Sequence, residues 1–592
     1  MKKIYILLLL AFSISSCDSF LDKNPKHKLA EDEFFESERD LELYSNSFLS
    51  RIPSLNRIVF GDQYSDYIAT RSSTPFLIGN TWTPNQQGNW GGGDSGKWSQ
   101  LRHANYFLDK LKGTKGKVSD EIYLHYEGVG RFWRAWFYYD MVTEFGDVPW
   151  YDHELDPEEV DELYKGRDSR AYVMDKVLED LTFAAENCSA SAKFVSSSTR
   201  INKWTALAFK TRVCLYEGTY RKYHKELNLT DSSKKFLEEA VKAAEELMES
   251  SPFRLVDDAG NRSTQYRNLF SSTDLNTTEV IFGLDYDQEM RRHETTWDMF
   301  SATKGLNWSF SKQFVNQYLM QDGSRFTDQP NYKQVEFINE FANRDLRMVQ
   351  TMVHPGYKRK SLAGNMVEYA PDFRMNFTGY QPIKWALDDD AHIGKATSDN
   401  ALPIFRFAEV LLNLAEAKAE LGDMDEQVWN KTIKPLRERA GVNGKSPETA
   451  DPYLVDYYRK QTTDKWILEV RRERNIELAF EGVRPDDLMR WKLGELFAID
   501  WEGLYIPEKG KVYDLNGDGK GDLAVVDKKP AKPVSGVVYI ELGTTHKLDE
   551  NNHLLFGWAQ NRVWADRMYL RPIPQQAVQD NPNLLPQNPG WE

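Results

Sequence analysis

Helical periodicity is the feature that most limits what this chain can fold into. In five stretches of the N-terminal half, apolar side chains recur three and four residues apart with charged residues between them, as in helices that bury one face. These stretches are residues 97–112, 119–145, 170–187, 202–219 and 233–250. Short polar turns separate them. We therefore expect a mainly α body in which successive helices pack in pairs, loosely like tetratricopeptide units.

The periodicity breaks between about residues 252 and 400, where Asn, Gly, Ser and Thr become frequent and runs such as 279–286 (EVIFGLDY) are typical of strands. It resumes at 404–421, 426–440 and 464–482. The last hundred residues return to short strands, Gly turns and Pro. Because no long Pro, Gly or Ser linker separates these parts, the sequence predicts one composite body. Its predicted parts are a helical part at 31–270, a loop-rich inserted subdomain with short strands at 271–400, and residues 401–592, which complete the same body.

The balance of charge argues against one class of function. The 592 residues include 75 Lys plus Arg and 90 Asp plus Glu, which gives a formal net charge of −15. Nucleic-acid binding depends on clustered Lys and Arg that neutralise phosphates. We therefore expect no nucleic-acid partner.

The N-terminus has the pattern of an export signal. Lys2 and Lys3 precede an apolar stretch, 4–14, that is too short for a transmembrane helix of about 20 residues. The following Ser-Ser-Cys17 resembles the bacterial lipobox, which implies cleavage before Cys17 and acylation of that residue. Residues 1–16 are then a removed lipoprotein signal and 17–30 a lipidated tether. The alternative is an ordinary signal peptide that ends near a Cys by chance.

A search for catalytic motifs finds neither HExxH nor GxSxG in the sequence. In the 470–491 segment, VRRERNIELAFEGVRPDDLMRW, Arg471, Arg472, Arg474 and Arg484 are interspersed with Glu473, Glu477 and Glu481, with Arg474–Glu477 and Glu481–Arg484 three positions apart. A catalytic carboxylate pair is one interpretation of this pattern. Structural ion networks produce the same pattern far more often, so we expect an internal salt-bridge network.

The segment 514–522, DLNGDGKGD, offers hard oxygen ligands at alternate positions, as Ca²⁺-binding loops do. It lacks the Glu that an EF-hand has at position twelve, because Val525 stands there. A turn without an ion is the alternative. No cofactor is required, and any Ca²⁺ would be structural. The candidate ligands are Asp514, Asn516, Asp518, Lys520 and Asp522.

Aromatic residues also occur in loops that are too polar to form a core. Indole rings pack on the C–H faces of sugars, and carboxylate, amide and guanidinium groups bind sugar hydroxyls. The alternative is that each Trp packs under its own loop. The candidate ligand-binding residues are Asp66, Tyr67, Arg71, Trp82, Trp90, Trp297 and Trp308.

Seven motifs follow one another over the whole mature chain. They are CDSFLDKNP (17–25), GRFWRAWFYYDMVTEFGDVPW (130–150), NKWTALAFKTRVCLYEG (202–218), FVNQYLMQDG (314–323), PIFRFAEVLLNLAEAKAELG (403–422), VRRERNIELAFEGVRPDDLMRW (470–491) and YLRPIPQQAVQDNPNLLPQNPGW (569–591). Taken in order, these motifs resemble the SusD/RagB family of Bacteroidetes surface lipoproteins, and their order is more specific than any one of them. Phe145 stands where that family commonly has Tyr before Gly-Asp-Val-Pro.

The resemblance implies a SusD-like α/α superhelix of tetratricopeptide-like helix pairs. It also implies a lipid-anchored protein on the cell-surface side of the outer membrane, which binds oligosaccharide or polysaccharide and delivers it to a SusC-like TonB-dependent transporter without catalysis. Two alternatives stay open. One is RagB-like uptake of peptides, and the other is a surface glycoside hydrolase.

Overall fold

The computed structural model describes residues 34–52, 58–74, 77–78, 90–91, 97–302 and 307–592. Helices of six or more residues are numbered in chain order: α1 Glu38–Ser47, α2 Lys97–Leu111, α3 Asp120–Phe145, α4 Arg170–Asn187, α5 Lys203–Tyr223, α6 Ser233–Ser250, α7 Gln265–Ser271, α8 Thr295–Phe300, α9 Leu346–Thr351, α10 Phe407–Leu421, α11 Glu426–Lys431, α12 Ile433–Arg439, α13 Pro452–Tyr457, α14 Lys465–Glu477, α15 Arg484–Arg490 and α16 Gln575–Asp580. Single-turn helices lie at Val160–Leu163, Ala192–Val195, Lys312–Val315 and Phe337–Glu340.

The strands are short and form small, separate sheets. β1 pairs antiparallel with β3, β2 with β6, and β4 with β5, while β10-β9-β8 and β11-β12-β7 form three-stranded sheets. Their bounds are β1 Ile68–Ala69, β2 Val280–Leu284, β3 Ser309–Phe310, β4 Lys358–Lys360, β5 Met366–Glu368, β6 Leu402–Arg406, β7 Trp501–Tyr505, β8 Val512–Tyr513, β9 Leu523–Val526, β10 Val538–Glu541, β11 His546–Leu548 and β12 His553–Phe556. The mainly α fold with short strands is confirmed.

The five predicted N-terminal helices are α2 to α6, and each packs against the next: α2 on α3, α3 on α4, α4 on α5 and α5 on α6. Helix α6 then contacts α10, and α10 contacts α14, so the stack continues into the C-terminal part. Side-chain caps set where several of these helices begin. Asn202 accepts hydrogen bonds from the first amides of α5, and Ser169 does the same for α4.

Helix α3 forms the centre of the stack. Residues 132–142 are all buried, which agrees with an apolar pattern too dense for a single stripe. The helix ends at Gly146, whose φ of 73° favours glycine. Gly128 allows a close approach to α4, because a Cβ there would lie 2.7 Å from the Cys188 Sγ.

Two predicted helices differ from the structure. Residues 402–406 form β6, so 404–406 belong to a strand rather than to the start of the predicted helix 404–421, because β2 pairs with them and sets Phe405 beside Phe282. This pairing outweighs local helix propensity. The predicted helix 426–440 is broken at Thr432 into α11 and α12. Pro435 explains the break, because it has no amide hydrogen to continue the ladder of α11.

The pairing of β2 with β6 joins the loop-rich part to the C-terminal part. It is reinforced where the Glu279 carboxylate pairs with Arg406 at 2.7 Å and with Arg439 at 2.8 Å. The part boundaries at 270 and 400 remain predictions. The C-terminal residues also return to the stack, since Asn588 Nδ2 donates to the carbonyl of Phe145 at the end of α3 at 2.8 Å.

The predicted salt-bridge network is present, but most of its partners lie on other elements. The buried Glu477 carboxylate, at the end of α14, pairs with Arg347 at 2.9 Å, with Arg406 at 3.1 Å, and with Arg439. Burial alone would raise the pKa of Glu477, but these guanidinium groups outweigh it and hold the pKa well below its usual range. We refer to Glu477, Glu279 and their three Arg partners as the Glu477 cluster.

We expect Glu477→Gln to lower the free energy of unfolding by about 3–5 kcal/mol, because the three guanidinium groups stay buried after losing a charged partner. Guanidinium denaturation followed by fluorescence measures this change. The matched control is Glu448→Gln, which removes an exposed carboxylate paired with Lys445 and should leave the unfolding midpoint unchanged. Equal midpoints for the two variants would contradict the prediction.

Candidate functional site

The structure buries two of the residues predicted to contact a ligand. Asp66 is fully buried, and its carboxylate accepts hydrogen bonds from Arg484 Nη2 at 2.6 Å and from the Tyr457 hydroxyl at 2.5 Å. Tyr67 is fully buried as well, and its hydroxyl accepts from the amide of Phe480 at 2.9 Å. The prediction that Asp66 and Tyr67 bind a ligand is wrong, because both side chains are buried and paired inside the protein, with Arg484 and Phe480 from the chain following α14 and with Tyr457 of α13.

Asp62 closes the same buried cluster. Its Oδ1 accepts from the amide of Arg484 at 3.1 Å, and its Oδ2 accepts from the Tyr67 hydroxyl. Burial raises the pKa of Asp62 to about 7, although the hydrogen bond from Tyr67 opposes the rise. Gly61 lets this segment meet the chain after α14, because a Cβ there would lie 2.6 Å from the Cα of Gly482.

Trp308 is also a core residue rather than a ligand contact. It is buried, and its ring packs on Phe60 and Phe480 with centroids 4.6 and 5.2 Å apart. The prediction for Trp308 is therefore wrong, because its ring packs in the core against residues of two other segments of the chain. Trp297 is half-buried on α8 and remains a prediction, while Trp82 lies outside the described residues.

Arg71 is exposed, as predicted. The register of β1 and β3 pairs Ile68 with Phe310 and Ala69 with Ser309, which brings Arg71 beside Asn307. With the Asn307 amide in its satisfied orientation, the side-chain oxygen accepts from Arg71 Nε at 3.2 Å and from Nη2. The guanidinium is thus held in place by a buried amide while its other edge faces solvent.

A C-terminal segment that the sequence did not single out lies along Arg71. Gln560 Nε2 donates to the carbonyls of Thr70 and Arg71 at 3.0 and 3.3 Å. Trp558, on the same 3₁₀ turn, is half-buried, and the Lys547 ammonium lies 5.1 Å from the centroid of one of its rings. Sequence reasoning could have found this segment from Trp558, because Gly557-Trp-Ala-Gln-Asn is a polar loop with one aromatic residue, like the loops of the other candidate residues.

We refer to Arg71, Asn307, Trp558 and Gln560 as the Arg71 surface. It brings together a guanidinium, two amides and an indole. The Oε1 of Gln560 and the Nε1 of Trp558 have no hydrogen-bond partner among the described residues. Both atoms are buried, so the groups of this surface that reach solvent are the exposed Arg71 side chain and the half-buried indole of Trp558, which are of the kinds that bind sugar hydroxyls and pack on sugar rings.

Trp90 lies elsewhere. It is buried, and it packs edge-on against Trp98 and Phe145 with centroids 5.4 and 5.1 Å apart. It also lines a cleft of about 680 Å³ that includes Tyr151 and Tyr164 but no residue of the Arg71 surface. The predicted aromatic residues therefore do not form one cluster.

The loop predicted to bind Ca²⁺ is closed by its own hydrogen bonds. The Asp514 carboxylate accepts from the amides of Gly517 and Gly519 at 2.7 and 2.8 Å. The Asp518 carboxylate accepts from the amide of Lys520 at 2.9 Å and pairs with its ammonium at 3.1 Å. Within the described part of the chain, no group of three or more His, Cys, Asp or Glu could hold a metal ion. The calcium site at Asp514, Asn516, Asp518, Lys520 and Asp522 remains a prediction, and the loop of this structure is a hydrogen-bonded turn.

The cysteines and the helices bear on disulfides and on the membrane. Cys188 and Cys214 are both buried and free, so they form no disulfide with each other. Cys17 lies outside the described residues. Across the described ranges, every helix is too short or too polar to span a bilayer.

Models of two known protein families match this chain. The family model described as "SusD family" matches residues 278–591, and a second model, "Starch-binding associating with outer membrane", matches residues 19–215. Because these matches cover most of the chain, it belongs to the SusD family. The resemblance recognised in the sequence motifs is thus confirmed, and the second description points to association with the outer membrane.

Individual relatives match this chain over most of their own length. SusD-like protein P25 of Formosa agariphila is 26% identical over 531 residues, which are 83% of this chain and 90% of the relative. A SusD-like protein from Bacteroides fragilis superposes with a TM-score of 0.68 at 21% identity, covering 96% of this chain and 100% of that one. A SusD-like carbohydrate-binding protein from the same organism gives a TM-score of 0.67 at 22% identity, covering 93% and 100%. These two structures share the fold.

We expect Asp62→Asn to change how stability depends on pH. An unfolded Asp has a pKa of about 3.9, so the raised pKa of folded Asp62 contributes stability that is fully present below about pH 4 and lost as the pH rises to about 7. The free energy of unfolding should therefore fall over this range by about 3–4 kcal/mol more in the unaltered protein than in Asp62→Asn.

Urea denaturation at intervals between pH 4 and 8 measures the difference. The control is Asp456→Asn, a change in an exposed carboxylate, which should keep the pH dependence of the unaltered protein. Parallel curves for Asp62→Asn and the unaltered protein would contradict the assignment of a raised pKa.

Proposed function

We propose that this protein binds glycan at the Arg71 surface and delivers it to a SusC-like TonB-dependent transporter, without catalysis. The observation that carries the proposal is the meeting of Arg71, Trp558 and Gln560 on the surface of a SusD-family chain. A relative of the same fold is described as a carbohydrate-binding protein. The indole would pack on a sugar ring, while the guanidinium and amide would bind its hydroxyls.

The site is suited to capture rather than to chemistry. Arg71 is fixed by Asn307, and Gln560 is fixed by two backbone carbonyls, so these groups lose little freedom when a ligand binds. No carboxylate belongs to the Arg71 surface, whereas glycoside hydrolysis needs two that face each other across the bond. The Glu side chains of 470–491 that could have formed such a pair are buried against Arg side chains. This arrangement supports the non-catalytic form of the proposal.

The remaining part of the proposal concerns location. Lipidation of Cys17 would anchor the protein on the cell-surface side of the outer membrane. The tether would let the body move while it stays close to the transporter, which raises the effective concentration of captured glycan at the pore. The description of the matching family model, which names the outer membrane, supports this location.

We expect Arg71→Ala and Trp558→Ala each to weaken glycan binding about tenfold, the loss of about 1.4 kcal/mol of binding free energy that one good polar or stacking contact supplies. Affinity electrophoresis of residues 18–592 in gels containing amylopectin, laminarin, xylan or alginate finds the glycan and then compares the variants. The control is Trp466→Ala, since Trp466 is a half-buried indole on α14 that packs on Trp429.

Three outcomes would contradict the proposal. Retention on immobilised peptides with none on any glycan would favour peptide cargo. Release of shorter products from a bound glycan would show a hydrolase. Equal retardation of Arg71→Ala, Trp558→Ala and Trp466→Ala would show that the glycan binds elsewhere.

We expect Cys17→Ser to abolish incorporation of labelled palmitate and to move the protein out of the membrane fraction, because Cys17 is the proposed acylation site. Metabolic labelling and cell fractionation measure both effects. The control is Ser19→Ala, two residues beyond the cleavage position. Palmitate labelling of Cys17→Ser at the level of the unaltered protein would show that another residue is acylated, and absence of label from both proteins would show that the signal is an ordinary one.

A further inference from the structure

The cleft beside Trp90 has no role in the function proposed above. It lies between α2, the segment 149–164 and the C-terminal residues 574–584, and its volume is about 680 Å³. Its walls are mainly apolar, and they include Trp98, Leu101, Tyr151 and Leu584. The space is comparable to that of sites that hold several large side chains or a small ligand.

The rim of the cleft continues this apolar character onto the surface. Leu163 and Tyr164 line the cleft and are 37% and 49% exposed. Leu585, next to the lining residue Leu584, is 53% exposed. Large apolar side chains that rim a concave apolar surface mark a place where another molecule docks.

A buried acceptor in the cleft lacks a partner. Asn105 on α2 is 1% exposed and lines the cleft. Its Nδ2 donates to the carbonyls of Tyr151 and His153 at 3.0 and 2.9 Å, which fixes the amide. Nothing in the described ranges donates to its Oδ1. A bound molecule with an N–H or O–H group would satisfy this oxygen, as buried polar atoms require.

The segment that forms one wall of the cleft is strongly acidic, although it contributes His153, Leu155 and Pro157 to the lining and carries its carboxylates outside the cavity. Residues 152–162, DHELDPEEVDE, contain seven Asp or Glu side chains, and we refer to them as the acidic strip. Nearby cations neutralise only part of this charge. Arg102 pairs with Glu154 at 3.1 Å, and Lys165 pairs with Glu162 at 3.3 Å. Asp580 adds a further carboxylate to the lining.

We propose that the cleft docks an extended peptide segment of a partner protein, one that carries a large apolar side chain close to a Lys or Arg. The apolar side chain would enter among Trp98, Tyr151 and Leu163. A peptide N–H would donate to Asn105 Oδ1, and the cationic side chain would lie along the acidic strip. Complementary charge of this kind selects partners and speeds their association.

The acidic strip also disfavours one other occupant. The acidic strip would repel the anionic head groups of a membrane surface. The proposal stands apart from glycan binding, because the cleft and the Arg71 surface share no residue.

A random heptapeptide phage library, selected on immobilised residues 18–592, tests the proposal. We expect enriched peptides to combine Lys or Arg with Leu, Trp, Phe or Pro. Fluorescence polarisation of the leading labelled peptide should show binding at least tenfold weaker for the double variant Glu158→Lys/Asp161→Lys and for Tyr164→Ala. All three positions are exposed, so these variants should fold.

The matched control is Glu186→Lys/Glu249→Lys, which makes the same change of charge at two exposed positions near the ends of α4 and α6 and should bind the peptide as the unaltered protein does. Failure to enrich any peptide, enrichment of acidic peptides, or unchanged affinity of Glu158→Lys/Asp161→Lys would overturn the proposal. So would loss of glycan retention in Tyr164→Ala, which would make the cleft a saccharide site. Loss of glycan retention in Arg71→Ala alone concerns only the Arg71 surface, so the two proposals fail separately.

Discussion

The fold depends on the buried ion pairs of the Glu477 cluster. Its members come from the end of α14, from α9, from the end of β6, from the end of α12 and from the residue before β2. Burying these charges is costly unless every one of them is paired, so the elements must assemble in one arrangement to avoid an unpaired charge. The cluster therefore joins the loop-rich part and the C-terminal part to the helical stack.

The position of the Arg71 surface follows from this assembly. The chain leaving α14 carries Glu481, which pairs with Arg406 at 2.7 Å, and then Arg484, which binds Asp66. Asp66 precedes β1, and β1 pairs with β3, so the Arg71 guanidinium is set against Asn307 by contacts that begin in the protein core. A binding group held in this way is already in place before a ligand arrives. The buried residues Asp66, Tyr67 and Trp308 thus support the surface from below.

The Arg71 surface and the cleft beside Trp90 differ in chemistry. The Arg71 surface offers a guanidinium, amides and one indole, while the cleft beside Trp90 offers a mainly apolar interior, one buried acceptor and an acidic segment beside it. Separate surfaces would allow a captured glycan and a partner protein to bind at the same time. Such an arrangement suits a protein that hands its cargo on, because neither ligand has to displace the other.

The sequence by itself determined the helices α2 to α6, the buried character of α3 and the family, because periodicity, caps and ordered motifs are local properties of the chain. It predicted an ion network at 470–491, but the Arg partners of Glu477 lie on other elements. Tertiary structure decided the rest. Whether Trp308 or Arg71 faces solvent depends on the pairing of β1 with β3, and residues 402–406 became a strand because β2 offered them an edge. Trp558 and Gln560 are far from Arg71 in the chain, and folding brings their segment beside it. Gln560 donates a hydrogen bond to the carbonyl of Thr70, which lies 490 residues earlier. Contacts between distant segments leave no periodic trace in the sequence, so the site had to be found in the folded chain.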